Sequence, residues 1–592
     1  MDSLKTKIKS FWRRAKSAWA FWGFLKKTAI SQEEIDKKLV YSLSSRKIPT
    51  GGQLKHLNKF LNPREFLIVK ICALVILVNL VYVGAVFIKK HVQYLPVVGG
   101  EYIEGVIGYP KTINPLYAVN RDVDSDLSRL LYSSLFKYDQ DGHLINDLAD
   151  GLEISPDNKE YLLKIKDGVQ WHGGGELTVD DVLFTFNLIK NPEYRSPLRS
   201  SLADVAAEKV DDDTLKFTLA EPYAPFLELL TFGILPKNLW ENISPAAAVL
   251  SDLNLKPVGS GPYEFKSLVK SKTGDLREYR LAVNPDYYGT VPYIKNITFD
   301  FFIDYQEAIK ALNDKQIMGL SYLPFTLRKD LLAQNSLKFE ELIQPKIVSL
   351  FFNYEKNKSL ADKEVRTALA LAINKNGLIN DIFSGVYQRA DGPIMKNNFA
   401  YNEAVTKYDY MPLAASEIIK KKPLTAVLTV VGSGDNVTVA ENIKAYWEKS
   451  GVAITLKVVS GEQAADIIKS RDFEILLYGE AVGGDPDVYA FWHSSQIGAK
   501  GLNLSGYNNP AADKLLVEAR TTTNLAERIS KYQKFQEIVT GDLPAIFLYS
   551  PTYTYVQNNS VKGFSGTMII EPSDRFSGVG DWYLKTKKKL TW

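Results

Sequence analysis

Residues Phe66 to Ile88 read FLIVKICALVILVNLVYVGAVFI, a run of 23 whose main polar members are Lys70 and Asn79. A helix needs about 20 apolar residues to span a hydrocarbon core, so this run predicts one transmembrane helix over 66–88. Lys70 lies near its start and can reach the interface along its own alkyl stem. The run is too long, and starts too late, for a cleavable signal peptide. Cys72, the one cysteine of the chain, follows Val69-Lys70-Ile71. That tripeptide carries a charge and lacks the small residue of a lipidation signal, so no lipid is expected on Cys72. The body beyond the span has no cysteine and no possible intrachain disulfide.

The span divides the chain into parts with opposite charge. Residues 1–65 hold 15 Lys and Arg, and after the span only Lys89 and Lys90 precede Lys111. Basic residues stay on the cytoplasmic side, which predicts a cytoplasmic N-terminus, a single pass through the plasma membrane and an extracytoplasmic body. Residues 4–27 interleave Phe11, Trp12, Trp19, Phe21, Trp22 and Phe24 with Lys and Arg. That is the composition of a helix lying on an anionic inner leaflet. Ser31-Gln32-Glu33-Glu34 is a capping-box pattern for a second short helix, and Ile48 to Gly52 reads as a loop. Residues 101–592 carry 54 Lys and Arg against 63 Asp and Glu. An acidic body argues against nucleic acid as a partner, because duplex binding needs a concentrated basic face.

In the body, Tyr94 to Gly100 reads as a short linker, and short β-rich runs then alternate with amphipathic helices. Tyr102 to Ile107 is strand-like. Thr178-Val179-Asp180-Asp181 starts a helix that stops before Asn191-Pro192. Residues 362–373 place Val365, Leu369 and Ile373 on one buried face. Residues 424–478 read as β-α-β-α-β, with Gly451 closing the helix over 436–449.

Catalytic signatures are missing from the sequence. It has no H-E-x-x-H, no P-loop and no G-x-S-x-G. The five histidines, at 56, 91, 143, 172 and 493, have no metal-ligand spacing. Two S-x-x-K matches lack their companion elements. Asp139-Gln140-Asp141-Gly142 has its glycine too early for a calcium loop and reads as a turn between strands. The chain is therefore read as a binding protein, not an enzyme, with no cofactor or metal. Its 32 Tyr and 28 Phe suit a cleft for ligands that mix polar backbone with apolar side chains.

A series of segments carries a family resemblance. Gly105 to Pro115 is an opening strand and loop, followed by Leu135-Phe136-Lys137-Tyr138 with Asp141-Gly142 and by Asp147-Leu148-Ala149. Tyr161 to Phe184 contains Trp171-His172, a Gly173-Gly174-Gly175 turn and Leu177-Thr178-Val179-Asp180-Asp181-Val182. Then come Val258-Gly259-Ser260-Gly261-Pro262-Tyr263, Asn284 to Gly289, Glu364 to Leu369, Asp485-Pro486-Asp487 and Leu543 to Tyr549. In this order, across 100–592, they resemble the family 5 extracellular solute-binding proteins, the oligopeptide and dipeptide receptors of ABC importers.

The resemblance implies an α/β, bilobed periplasmic-binding-protein fold with three domains and a cleft between the lobes, preceded here by the transmembrane helix. Before it, the apolar run and its flanks set a head over 1–65, a span over 66–88 and a linker over 89–100. Domain I would be 101–132, 219–344 and 548–592, domain II 133–218, and domain III, the second lobe, 345–547. The implied partners are a peptide ligand, most simply an oligopeptide, and an ABC permease. A receptor for oligosaccharide or another solute, or a ligand sensor with a cytoplasmic head, fits the same frame. The glycines at 259 and 261 are expected to supply backbone freedom, and the Gly173–Gly175 turn to be soft.

Candidate cleft residues are Tyr109 on the opening loop, Asn353 and Tyr354 at the lobe crossing, and Tyr478, Glu480, Asp485 and Trp492. Peptide-binding relatives carry an Asp in this last stretch that meets the ligand's α-ammonium. Here that place falls on Gly483, one residue being deleted, and Glu480 and Asp485 are the nearby acids that could supply the charge.

Overall fold

Pro63–His91 is a single helix of 29 residues, longer at both ends than the apolar run. Its start is fixed by Asn62 and Glu65, whose carboxylate accepts from the Asn62 N–H at 3.0 Å, while Pro63 at the first position needs no hydrogen-bond partner for its nitrogen. None of its residues is buried, and it is long and apolar enough to cross a membrane. The structure, a computed structural model, describes residues 61–590 except 333, 433 and 500, together with 36, 37, 55 and 59. The aromatic and basic segment 4–27, the pattern at Ser31 to Glu34 and the loop at Ile48 to Gly52 lie outside the described residues. The expected linker is more ordered than its prolines and glycines imply. The helix runs to His91 and Val92–Val97 is a strand, in keeping with the extended preference of its valines and Tyr94.

The unit Leu95–Lys587 is built on three larger sheets. A seven-stranded sheet runs in the order Leu337–Ile343, Thr552–Asn558, Gly319–Leu320, Glu101–Ile107, Asn296–Phe302, Leu276–Val283 and Tyr263–Lys270. A four-stranded antiparallel sheet joins Ala149–Ile154, Glu160–Ile165, Thr214–Leu219 and Val205–Lys209. One continuous core packs both, from Tyr102, Leu127 and Trp582 to Phe217 and Phe226, so they form one lobe.

The second lobe is a six-stranded sheet ordered Gln388–Arg389, Ala545–Ser550, Lys346–Phe352, Ile475–Ala481, Thr425–Val431 and Ala453–Val459. Thr425–Val431 is parallel to both its neighbours, as the β-α-β-α-β pattern requires, and Gly451 takes φ +92° after the helix Asp435–Lys449. Successive side chains on Lys346–Phe352 point to opposite faces. Leu350 enters a core with Leu428 and Trp447. Phe351 enters another with Trp492 and Phe547.

The chain passes between the lobes twice. Gln344-Pro345 joins the strand ending at Ile343 to the one starting at Lys346, and Pro551 alone joins Ala545–Ser550 to Thr552–Asn558. The second connection between the lobes is at Pro551, three residues past the expected return near 548. The strand Ala545–Ser550 stays paired to Lys346–Phe352 as far as Tyr549, and its fully buried pattern leaves no earlier place to turn.

Local starts and stops follow the residues. Thr178 and Asp181 form the capping box of helix Val179–Lys190, with the Thr178 N–H donating to Asp181 at 2.9 Å. Asp181 also accepts from the Lys237 N–H at 2.8 Å, so one carboxylate sets the helix start and anchors a distant segment. The Gly173–Gly175 turn places all three residues at positive φ, where a side chain is strained. Glycine serves a different purpose at 259 and 261. Neither is at positive φ, but a Cβ at 259 would sit 1.9 Å from the Leu131 carbonyl, and one at 261 would sit 2.5 Å from the Leu130 carbonyl. Close approach, not freedom, requires glycine there. His172 grips the same segment. Its Nδ1 accepts from the Gly259 N–H and its Nε2 donates to the Gly261 carbonyl, both at 3.1 Å. Burial holds the imidazole neutral by pushing its pKa down to about 4.

Candidate functional site: the cleft between the lobes

Facing residues of the two lobes also meet outside the two connecting segments, some of them close beside Pro551. Asp435, the first residue of helix Asp435–Lys449 on the second lobe, accepts from the Phe325 and Thr326 N–H groups of the first at 3.0 and 3.1 Å. The Ala224 N–H of the first lobe donates to the Arg520 carbonyl of the second at 2.8 Å. The Arg520 guanidinium lies 4.9 Å from the Tyr223 ring and 4.1 Å from Tyr489. Phe325 packs edge-on to Phe383 and Tyr387 across the same boundary. A cavity of about 250 Å³ is lined by His143 and Met568 from the first lobe and by Ile394, Asn398, Gly483 and Gly484 from the second.

The candidate residues fare differently. Tyr109 is 44% exposed on the loop after Glu101–Ile107. Asn353 and Tyr354 are not at the crossing. The strand leaves the crossing at Lys346 and ends at Phe352, so they lie roughly 20 Å away at its far end. There Asn353 accepts from Glu355 N–H and donates to the Arg471 carbonyl, and Tyr354 stacks with Arg366, 5.0 Å from its ring. Trp492 is core, 1% exposed and packed on Phe547 at 5.5 Å between ring centres. Tyr478 is half-buried against that same core.

The two proposed acids differ. Asp485 is held by both oxygens on Arg528, at 2.6 and 2.7 Å. Glu480 shares the face of Tyr478, two residues on along the strand, and is 5% exposed. Its Oε1 has no partner among the described residues, and burial holds its carboxyl far above the ordinary range.

Two charged residues outside the expected set stand at the boundary. Glu228 follows Pro225-Phe226-Leu227 on the first lobe and is packed beside Gly483 and Gly484. A Cβ built on Gly483 would lie 3.1 Å from its Oε2, and one on Gly484 3.1 Å from its Oε1. Burial, with the Asp485 carboxylate beside it, pushes its pKa up to about 7. Lys346, the first residue past the crossing, lies over Gly479. Burial holds its ammonium below the ordinary lysine range, with Asp122 of the first lobe pulling the other way. Glu228 could have been noticed as the single charge in an apolar run; nothing marks Lys346 until the crossing is located.

The family model for bacterial extracellular solute-binding proteins, family 5, matches residues 143–501, more than half of the chain. The chain belongs to this family. This solute-binding protein is 27% identical over 514 residues to the oligopeptide-binding protein AppA of Bacillus subtilis, an alignment covering 83% of this chain and 92% of that one. The solved structure of AppA, in complex with a nonapeptide, superposes with TM-score 0.69 at 26% identity, covering 83% of this chain and 100% of that one. The ABC transporter substrate-binding protein CtaP of Listeria monocytogenes superposes with TM-score 0.73 at 29% identity, over 82% of this chain and 99% of that one. The α/β bilobed architecture is thus the family's, and solute capture between the lobes is the activity to which its site belongs.

Proposed function

We propose that this solute-binding protein captures peptides between its lobes and delivers them to an ABC importer, from an anchor in the same membrane. The observation that carries the reading is a pair of ionisable side chains of opposite type at the lobe boundary, Glu228 and Lys346, neither with an ion-pair partner within 4 Å among the described residues. A zwitterionic ligand with an amine and a carboxylate answers both, whereas a neutral sugar leaves both desolvated and unpaired. The nonapeptide bound by AppA supports the same choice.

Capture is binding without chemistry. An extended peptide lies between the lobes and pairs its backbone with strand edges and loops, as in strand addition, with Tyr109 on the opening loop in reach. Contacts made only when the lobes are closed shift the population toward closure. Micromolar affinity corresponds to about −8 kcal/mol, within reach of a few backbone hydrogen bonds and two charged contacts. The helix Pro63–His91 supports a single-pass anchor with a cytoplasmic N-terminus, and tethering concentrates receptor near its permease.

The test is mass spectrometry of whatever co-purifies with the full chain in detergent, released by denaturation. A ladder of mixed peptides is expected. A single sugar or other uncharged solute would overturn the peptide reading and leave the fold and capture mechanism standing.

A further inference from the structure

The helix Pro63–His91 does not end in open chain. Val92–Val97 follows it directly and pairs with Lys585–Leu590 in a sheet of two strands. The second strand reads KTKKKL, and its lysines are exposed. Pairing brings Lys588 and Lys589 back to the end of the helix. The Lys588 ammonium lies 5.9 Å from the centre of the Tyr94 ring. Tyr94 is three residues past the helix, about 10 Å along an extended strand. Lys89 and Lys90 stand in the last turn of the helix and are exposed too.

No acid offsets these charges. The sequence has no Asp or Glu between Glu65 and Glu101, and none in 582–592. Among the described residues, Lys89, Lys90, Lys588 and Lys589 have no ion-pair partner. The body as a whole is acidic, with 54 Lys and Arg against 63 Asp and Glu over 101–592, so a basic group beside the helix stands out from it. Lysines just past a span also oppose the orientation signal of the 15 basic residues before it. A task at the membrane surface accounts for them. Tyr94 is 60% exposed, and a tyrosine ring with an ammonium over it suits the headgroup layer, where aromatic rings and lysine stems bury carbon and keep charge in contact with phosphate.

We propose that Lys89, Lys90, Lys588 and Lys589, with Tyr94, form a docking site for anionic phospholipid headgroups of the extracytoplasmic leaflet. The inference rests on the single-pass anchor proposed above. Headgroups are the anions that lie at this depth, because the apolar run stops at Ile88, one residue before the first of these lysines. A lysine close to an anionic surface strengthens attachment by about fivefold. Strand pairing thus adds two such residues to the two that the helix already carries.

The test uses the full chain in nanodiscs of equimolar phosphatidylglycerol and phosphatidylcholine. The photocrosslinker p-benzoylphenylalanine replaces Gln93, an exposed neighbour of Tyr94, and mass spectrometry of that peptide counts the adducts of each lipid. Phosphatidylglycerol adducts are expected to exceed phosphatidylcholine adducts by about fivefold. Lys588→Gln with Lys589→Gln is expected to lower that ratio about twofold or more, and so is salt of about 1 M, which cuts the screening length to about 3 Å. Lys420→Gln with Lys421→Gln removes the same charge from the exposed end of helix Pro412–Lys421 and should leave the ratio unchanged. A ratio near one with all four lysines present overturns the site while the anchor stands. A high ratio that the change at 588 and 589 leaves untouched overturns it as well. Adducts to neither lipid overturn the anchor reading itself.

Discussion

Arg575→Leu is expected to lower the stability of the first lobe by about 3–5 kcal/mol, the usual effect of removing one partner of a buried charge cluster. Arg575 is fully buried and paired to Asp126 at 2.5 Å and Glu104 at 3.1 Å. Glu104 also accepts from the hydroxyls of Tyr102 at 2.5 Å and Tyr555 at 3.0 Å. One guanidinium thus holds together the strand Glu101–Ile107, the helix Asp122–Leu131 and the C-terminal turn Pro572–Phe576. Without it two carboxyls stay buried side by side with no cation. Burial already raises both pKa values against the pull of Arg575, and the variant raises them further. A carboxyl whose folded pKa exceeds its unfolded value takes up a proton on folding, so its burial is disfavoured above the folded pKa and relieved by acid. The deficit should therefore be largest at neutral pH and shrink as pH falls toward about 5. Urea midpoints at two pH values, followed by tryptophan fluorescence, read both effects. A loss under about 1 kcal/mol, or one that does not shrink with acid, contradicts a sealed cluster.

Asp435→Ala is expected to weaken ligand binding by roughly tenfold to a hundredfold. Its two oxygens accept from Phe325 and Thr326 across the lobe boundary. Bonds to a charged acceptor contribute about 1.5–3 kcal/mol, and these two join one lobe to the other. Removing them shifts the closed population by that amount, and the apparent affinity falls with the competent fraction. Asp435→Asn should fall between, since its amide oxygen replaces only one of the two acceptors. Calorimetry with the co-purified ligand gives the affinity, and X-ray scattering of free and loaded chain gives the lobe separation. An unchanged affinity with unchanged scattering would show that these bonds do not contribute to closure.

The architecture was legible because its determinants are local. The long apolar helix declares itself by length and composition, the other helices by Thr178, Asp181 and Gly451, and the lobes by an ordered series of short segments. The site was less legible because its determinants are distant. Asp485 looks like a free anion until Arg528, 43 residues further on, folds back on it. Trp492 has the composition of a ligand platform, but only the packing of Phe351 and Phe547 shows it to be core. Asn353 and Tyr354 were misplaced by direction, since a strand that begins at the crossing ends far from it. Glu228 was missed because the facing acid belongs to the other lobe, about 250 residues away from Gly483 along the chain.

The two crossings, Gln344-Pro345 and Pro551, have a mechanical consequence. They join neighbouring strands on each side, Leu337–Ile343 beside Thr552–Asn558 in one lobe and Lys346–Phe352 beside Ala545–Ser550 in the other. Two short, side-by-side tethers, each with a proline whose φ is fixed, resist twist and shear and leave rotation about one axle. The ligand therefore has one degree of freedom to arrest, and a single contact at the rim acts with the full leverage of the lobe.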